Sequence, residues 1–124
     1  MKLLTGVDLI EVNRLRDAMA AHGERFLNRI FTAAELDENI HKAESLAGRF
    51  AAKEAVAKAF GSGIGDISWK EIEILRAESG QPLLVLHGAA EKKAREMKVV
   101  SWSLSISHTT SHALAFVVGV SNES

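Results

Sequence analysis

One run, residues 45–60, constrains this chain more than any other. Leu46, Phe50, Ala51, Ala55, Val56, Ala59 and Phe60 recur there at helical intervals in an Ala-rich stretch, and Gly61 follows as a stop. A helix of this kind must bury its apolar stripe, so the remaining segments have to supply the surface that receives it. They read mainly as strands. Residues 2–10 are apolar and partly β-branched, residues 67–75 alternate apolar with polar, and the turn residues 79–82 lead into the apolar run 83–86, a hairpin pattern. In residues 101–108, Trp102, Leu104, Ile106 and His108 share one face and four serines the other, with residues 113–120 as the return strand.

Helical spacing through Val12, Leu15 and Met19 predicts a helix over residues 11–21, broken at Gly23. Thr32 with Glu35 forms a capping box for the next helix, and residues 88–98 read as a charged, Ala-rich one. No repeat or linker interrupts this order. The expectation is one α+β domain over residues 1–124, an antiparallel sheet packed with helices.

Composition removes several classes of function. Fifteen Lys plus Arg balance sixteen Asp plus Glu, so no basic excess drives nucleic-acid binding, and any anion site must be local. The chain has no cysteine, which excludes disulfides, thiolate nucleophiles and cysteine zinc sites and fits a cytoplasmic enzyme. Asp8 and Glu11 interrupt the first apolar run before it could act as a signal-peptide core. The uncharged stretch 99–122 is too rich in Ser, Thr and His for a bilayer-spanning helix, so no membrane role is expected.

Candidate chemistry gathers at a few positions. Glu54 and Lys58 stand four apart on the strongest helix, which reads either as a surface pair worth about 0.3–0.5 kcal/mol or as part of a site. Arg49 and Lys53 add positive charge to the same segment. Asp8 lies near a strand end among apolar residues, where a carboxylate either caps the strand or needs a partner. If Asp8 and Glu54 converge, they offer two hard oxygen ligands, too few for a calcium cage but suited to Mg²⁺ with waters and substrate phosphates. His108 and His112 have an H-x3-H spacing, but the intervening residues read as a turn, which argues against zinc. The GSGIGD segment, residues 61–66, lacks the Lys-Ser/Thr ending of a P-loop and reads as a helix-ending turn.

Three separated segments, GVDLIEVNR (6–14), LAGRFAAKEAVAKAFGSGIG (46–65) and SLSISHT (103–109), together resemble the holo-acyl-carrier-protein synthases. These are the short bacterial 4′-phosphopantetheinyl transferases, and the likeness runs over nearly the whole chain. It implies transfer of the phosphopantetheine arm of coenzyme A to a serine of apo acyl carrier protein, with release of adenosine 3′,5′-bisphosphate. It further implies Mg²⁺ held by Asp8 and Glu54, with Lys58, Arg49 and His108 around the coenzyme phosphates and His108 at the 3′-phosphate. Gly61 and Gly63 would let backbone approach the nucleotide, and Pro82 would line the adenine site. Arg14, which matches the first motif, would face the acidic carrier with Arg16, Arg25 and Arg29. The serine's proton acceptor stays open between Glu54 and a water. The resemblance also implies a homotrimer with sites between subunits and a place in fatty acid biosynthesis. A catalytically silent coenzyme-binding module would use the same basic face, but it has no need of two metal carboxylates.

Overall fold

The structure is a computed structural model that describes residues 1–39, 42–61 and 65–123. In chain order it runs β1 (Lys2–Glu11), α1 (Val12–Ile30), α2 (Ala33–Asn39), α3 (Ala43–Ala59), a 3₁₀ turn (Trp69–Glu71), β2 (Ile72–Arg76), β3 (Pro82–Leu86), α4 (Gly88–Glu96), β4 (Val99–His108) and β5 (His112–Ser121). One antiparallel sheet has the order β1-β5-β4, and β2 and β3 form a separate hairpin. The α+β class expected from the sequence is what the chain adopts.

The Ala-rich helix α3 packs against the larger sheet and, with its C-cap Phe60, contributes Ala51, Ala52, Ala55, Val56 and Ala59 to the core, where they meet Leu4, Ala115 and Val117. Small residues let the two layers approach closely. Gly6, on the inward face of β1, lies directly under the helix, and a Cβ there would overlap the Ala55 carbonyl oxygen. Because strand side chains alternate, this close approach at Gly6 also aims the next inward residue, Asp8, at α3.

The helix break at Gly23 is a true discontinuity: its φ of 57° and ψ of −137° kink α1 between two helical segments. Thr32 and Glu35 form the expected capping box, Thr32 N–H donating to Glu35 Oε1 at 2.9 Å and Glu35 N–H to Thr32 Oγ1 at 3.2 Å. The strand expected over 67–75 begins only at Ile72. Ser68 and Glu71 form a second capping box, which winds Trp69–Glu71 into a 3₁₀ turn and overrides the short alternating pattern.

Lys53 does not add charge to a functional face, contrary to the sequence reading. Its side chain is fully buried, and Nζ donates to Glu35 Oε1 at 2.8 Å, to the Ile72 carbonyl at 2.6 Å and to the Trp69 carbonyl at 3.0 Å. Glu35 also accepts from the Ile74 N–H at 2.9 Å, so one buried ion pair ties α2 and α3 to the first strand of the hairpin. Burial pushes the Lys53 ammonium below the usual lysine range, and the facing Glu35 carboxylate opposes that shift.

Candidate active site

Asp8 emerges from β1 toward α3, where Glu54 and Lys58 occupy successive positions four apart on one helix face. Lys58 Nζ donates to Asp8 Oδ1 at 3.1 Å and to the Val7 carbonyl at 3.0 Å, so the ammonium bridges to the strand. Glu54 is half-buried beside this pair. Burial, then the Asp8 charge, pushes the Glu54 carboxyl above the usual carboxylate range, with Lys58 opposing. Asp8 Oδ2 is buried and has no hydrogen-bond partner. Two neighbouring carboxylates, one with an orphaned oxygen, fit a hard divalent cation that keeps water and substrate oxygens as its other ligands. No closed cage of three or more acidic or histidine ligands gathers among the described residues.

Asp8 and Glu54 line a cavity of about 490 Å³ whose walls include Arg14, Leu15 and Phe26 of α1 and Phe50 of α3. The kinked α1 therefore brings one arginine and an apolar wall to the carboxylates. Arg14 is exposed at this site. Arg16 is ion-paired with Glu44 at 2.6 Å, while Arg25 and Arg29 are exposed beyond the kink.

A second pocket, of about 160 Å³, is lined by Ser45, Gly48, Arg49, Arg76, Gly80, Pro82, Ile106 and His108. It is strongly basic. The Arg49 side chain is only 7% exposed, its Nε is buried without a partner, and its nearest carboxylate is Glu38 at 3.9 Å. Burial and the nearby Arg76 charge hold Arg49 below the usual arginine range, and Glu38 and Glu35 oppose them. A buried guanidinium with an unpartnered Nε beside a second arginine and a histidine has the chemistry to receive an anion.

The structure thus brings Asp8, Glu54, Lys58 and Arg14 together, and separately Arg49, His108 and Pro82. The two pockets share no lining residue. Gly61 ends α3 with a φ of 90°, and Gly63 lies outside the described residues. His108 and His112 face different pockets, His112 lining the carboxylate cavity. Sequence reasoning missed Arg76 and the two phenylalanines of the cavity wall, and it weighed His112 only as a zinc ligand and not as a neighbour of the carboxylates. The pairing of Arg76 with Pro82 across the hairpin register was the available signal for Arg76.

The chain matches a family model described as the 4′-phosphopantetheinyl transferase superfamily over residues 5–117. The holo-[acyl-carrier-protein] synthase of Herpetosiphon aurantiacus is 47% identical over 125 residues, which cover 95% of this chain and 98% of that protein. That of Natranaerobius thermophilus is 47% identical over 113 residues, 89% of this chain and 90% of the relative. Among solved structures, the Helicobacter pylori holo-[acyl-carrier-protein] synthase in complex with coenzyme A superposes with a TM-score of 0.87 at 32% identity, covering 94% of this chain and 100% of that one. The coenzyme A complex of the Chronobacterium ammoniagenes enzyme gives 0.88 at 28% identity, covering 99% and 100%. This chain belongs to the holo-[acyl-carrier-protein] synthase family.

Proposed function

We propose that this chain transfers the 4′-phosphopantetheine arm of coenzyme A to a serine hydroxyl of apo acyl carrier protein. The observation that carries this reading is the pairing of Asp8 and Glu54 on one cavity wall, with Lys58 bonded to Asp8 beside it, in a member of a family whose solved relatives hold coenzyme A. The serine oxygen forms a bond to the phosphorus bearing the pantetheine arm, and the bond from that phosphorus to the bridging oxygen breaks. Adenosine 3′,5′-bisphosphate leaves with the bridging oxygen. Phosphoryl transfer asks the protein chiefly for positioning and charge neutralisation. Asp8 and Glu54 would hold Mg²⁺, which supplies charge neutralisation to the pyrophosphate when bound. Lys58 steadies the same oxygens, and the serine proton leaves to Glu54 or to a water that Glu54 holds.

Arg49 and His108 bind the coenzyme phosphates, His108 at the 3′-phosphate, while Pro82 lines the adenine site and Gly61 and Gly63 let the backbone approach. Arg14, at the mouth of the carboxylate cavity, faces the acidic carrier together with Arg16, Arg25 and Arg29, an arrangement whose effect lies mainly in association rate. We place the reaction in fatty acid biosynthesis, in the cytoplasm, with residues 1–124 acting as one domain. No helix among the described residues is long and apolar enough to cross a membrane. Adenosine 3′,5′-bisphosphate should accumulate one for one with apo carrier consumed; consumption of carrier without it contradicts the reaction.

A homotrimer with sites between subunits is supported by two features. The outward face of β1 and β5 leaves Leu3, Val7, Leu9, Leu114 and Phe116 between 40% and 62% exposed, a patch that a second copy would cover. Arg49 and Glu54 are five residues apart on α3, a rotation of about 140° around the helix, so the basic pocket and the carboxylates face different ways. One coenzyme is then served by the carboxylates of one copy and the cations of the next. Inactive Asp8→Ala and Arg49→Ala chains, unfolded and refolded together, should regain activity at roughly a quarter of their sites by random pairing. A mixture as inactive as its parents would place the whole site in one chain.

A further inference from the structure

Glu38 meets the Arg49 guanidinium and the Arg76 backbone at the basic pocket, and neither the metal-site nor the carrier-binding assignment uses it. It stands on α2, and its carboxylate accepts from the Arg76 backbone N–H, through Oε1 at 3.0 Å and Oε2 at 3.3 Å. The same Oε1 lies 3.9 Å from Arg49 Nη2. That second distance is beyond a hydrogen bond, so the attraction to Arg49 is Coulombic and no donor of the guanidinium is spent on it. Arg49 Nε remains buried and unpartnered, and Arg76 and His108 line the pocket beside it.

We propose that Glu38 is a resident counter-anion at the edge of the basic pocket, partly offsetting the Arg49 guanidinium charge and thereby loosening the hold on a phosphate monoester so that product can leave. The inference rests on the reading of this pocket as the site of a coenzyme phosphate. Two arginines and one carboxylate leave a net charge of +1 beside His108, against a phosphate monoester that is close to a dianion at neutral pH. The anchored carboxylate does not follow the ligand, because the Arg76 N–H fixes it from the hairpin side. It acts as a tuning charge, and the Arg49 N–H groups stay open to the incoming phosphate.

Glu38→Gln separates this role from a structural one. The amide oxygen still accepts from the Arg76 N–H, whereas the charge is gone. Calorimetric titration of the full chain with adenosine 3′,5′-bisphosphate and with adenosine 5′-monophosphate reads both ligands in wild type, Glu38→Gln and Glu38→Ala. In Glu38→Gln the bisphosphate should bind about fivefold tighter, with a steeper salt dependence, while the monophosphate changes much less. Glu38→Ala, which also frees the hairpin N–H, should gain less than Glu38→Gln. An unchanged or weaker bisphosphate affinity in Glu38→Gln, or an equal gain for both ligands, overturns the proposal while leaving the pocket assignment intact. Wild-type protein that holds the bisphosphate no better than the monophosphate removes the pocket assignment and this inference with it.

Discussion

Asp8→Ala and Glu54→Ala should each lower turnover by about 10²–10³-fold, the scale seen when one preorganised stabiliser of developing charge is removed from an active site. The fold should survive both changes. Asp8 keeps one buried oxygen without a partner and raises the proton affinity of Glu54, so the two carboxylates are arranged at some cost in the absence of a cation. Ligand-linked stability provides a readout separate from activity: Mg²⁺ should raise the melting temperature of wild type and leave that of either variant nearly unmoved. Full Mg²⁺-dependent turnover in either variant would remove the carboxylates from the metal assignment.

Glu35→Ala should be strongly destabilising. It strands the Lys53 ammonium, whose side chain is fully buried, and takes an acceptor from the Thr32 and Ile74 N–H groups. Breaking a buried pair from one side costs about 3–5 kcal/mol, a large share of the roughly 5–15 kcal/mol that holds an ordinary domain together. Urea unfolding followed by circular dichroism measures the loss. A change below about 1 kcal/mol would mean that water reaches Lys53 and that the pair is not the tie between α2, α3 and β2.

Lys53 and Glu54 are adjacent in sequence, yet one is sealed in the interior and the other lines the cavity it shares with Asp8. Neighbours on a helix point about 100° apart, so a helix covered on several sides sends consecutive charges to different environments. The sequence carried a clue in the Ala-rich run, whose apolar residues leave no broad polar face and so mark a buried helix whose charges need partners. The partner, Glu35, stood in plain view as the third residue of a capping box. Its second carboxylate oxygen reaching Ile74 is a tertiary fact that no local pattern encodes.

Elements with strong, long patterns were legible: the serine-alternating β4, the Gly23 break and α3 itself. The start of β2 was not, because four alternating residues describe a strand and a 3₁₀ turn equally well, and the Ser68–Glu71 box decides between them. Asp8, Glu54 and Lys58 were legible as a group only through the family resemblance, since on their own a strand-end Asp and an i,i+4 pair also read as a cap and a surface pair. Arg76 was not, since only the hairpin register carries it beside Arg49 and Pro82.

The most direct measurement is the intact mass of an apo acyl carrier protein after incubation with this chain, coenzyme A and Mg²⁺, beside a sample containing chelator. The account predicts a gain of about 340 Da, the mass of one phosphopantetheine arm, that disappears with chelator. An unchanged carrier mass across several carriers, with coenzyme A still bound to the chain, would contradict it and leave a binding module that performs no transfer.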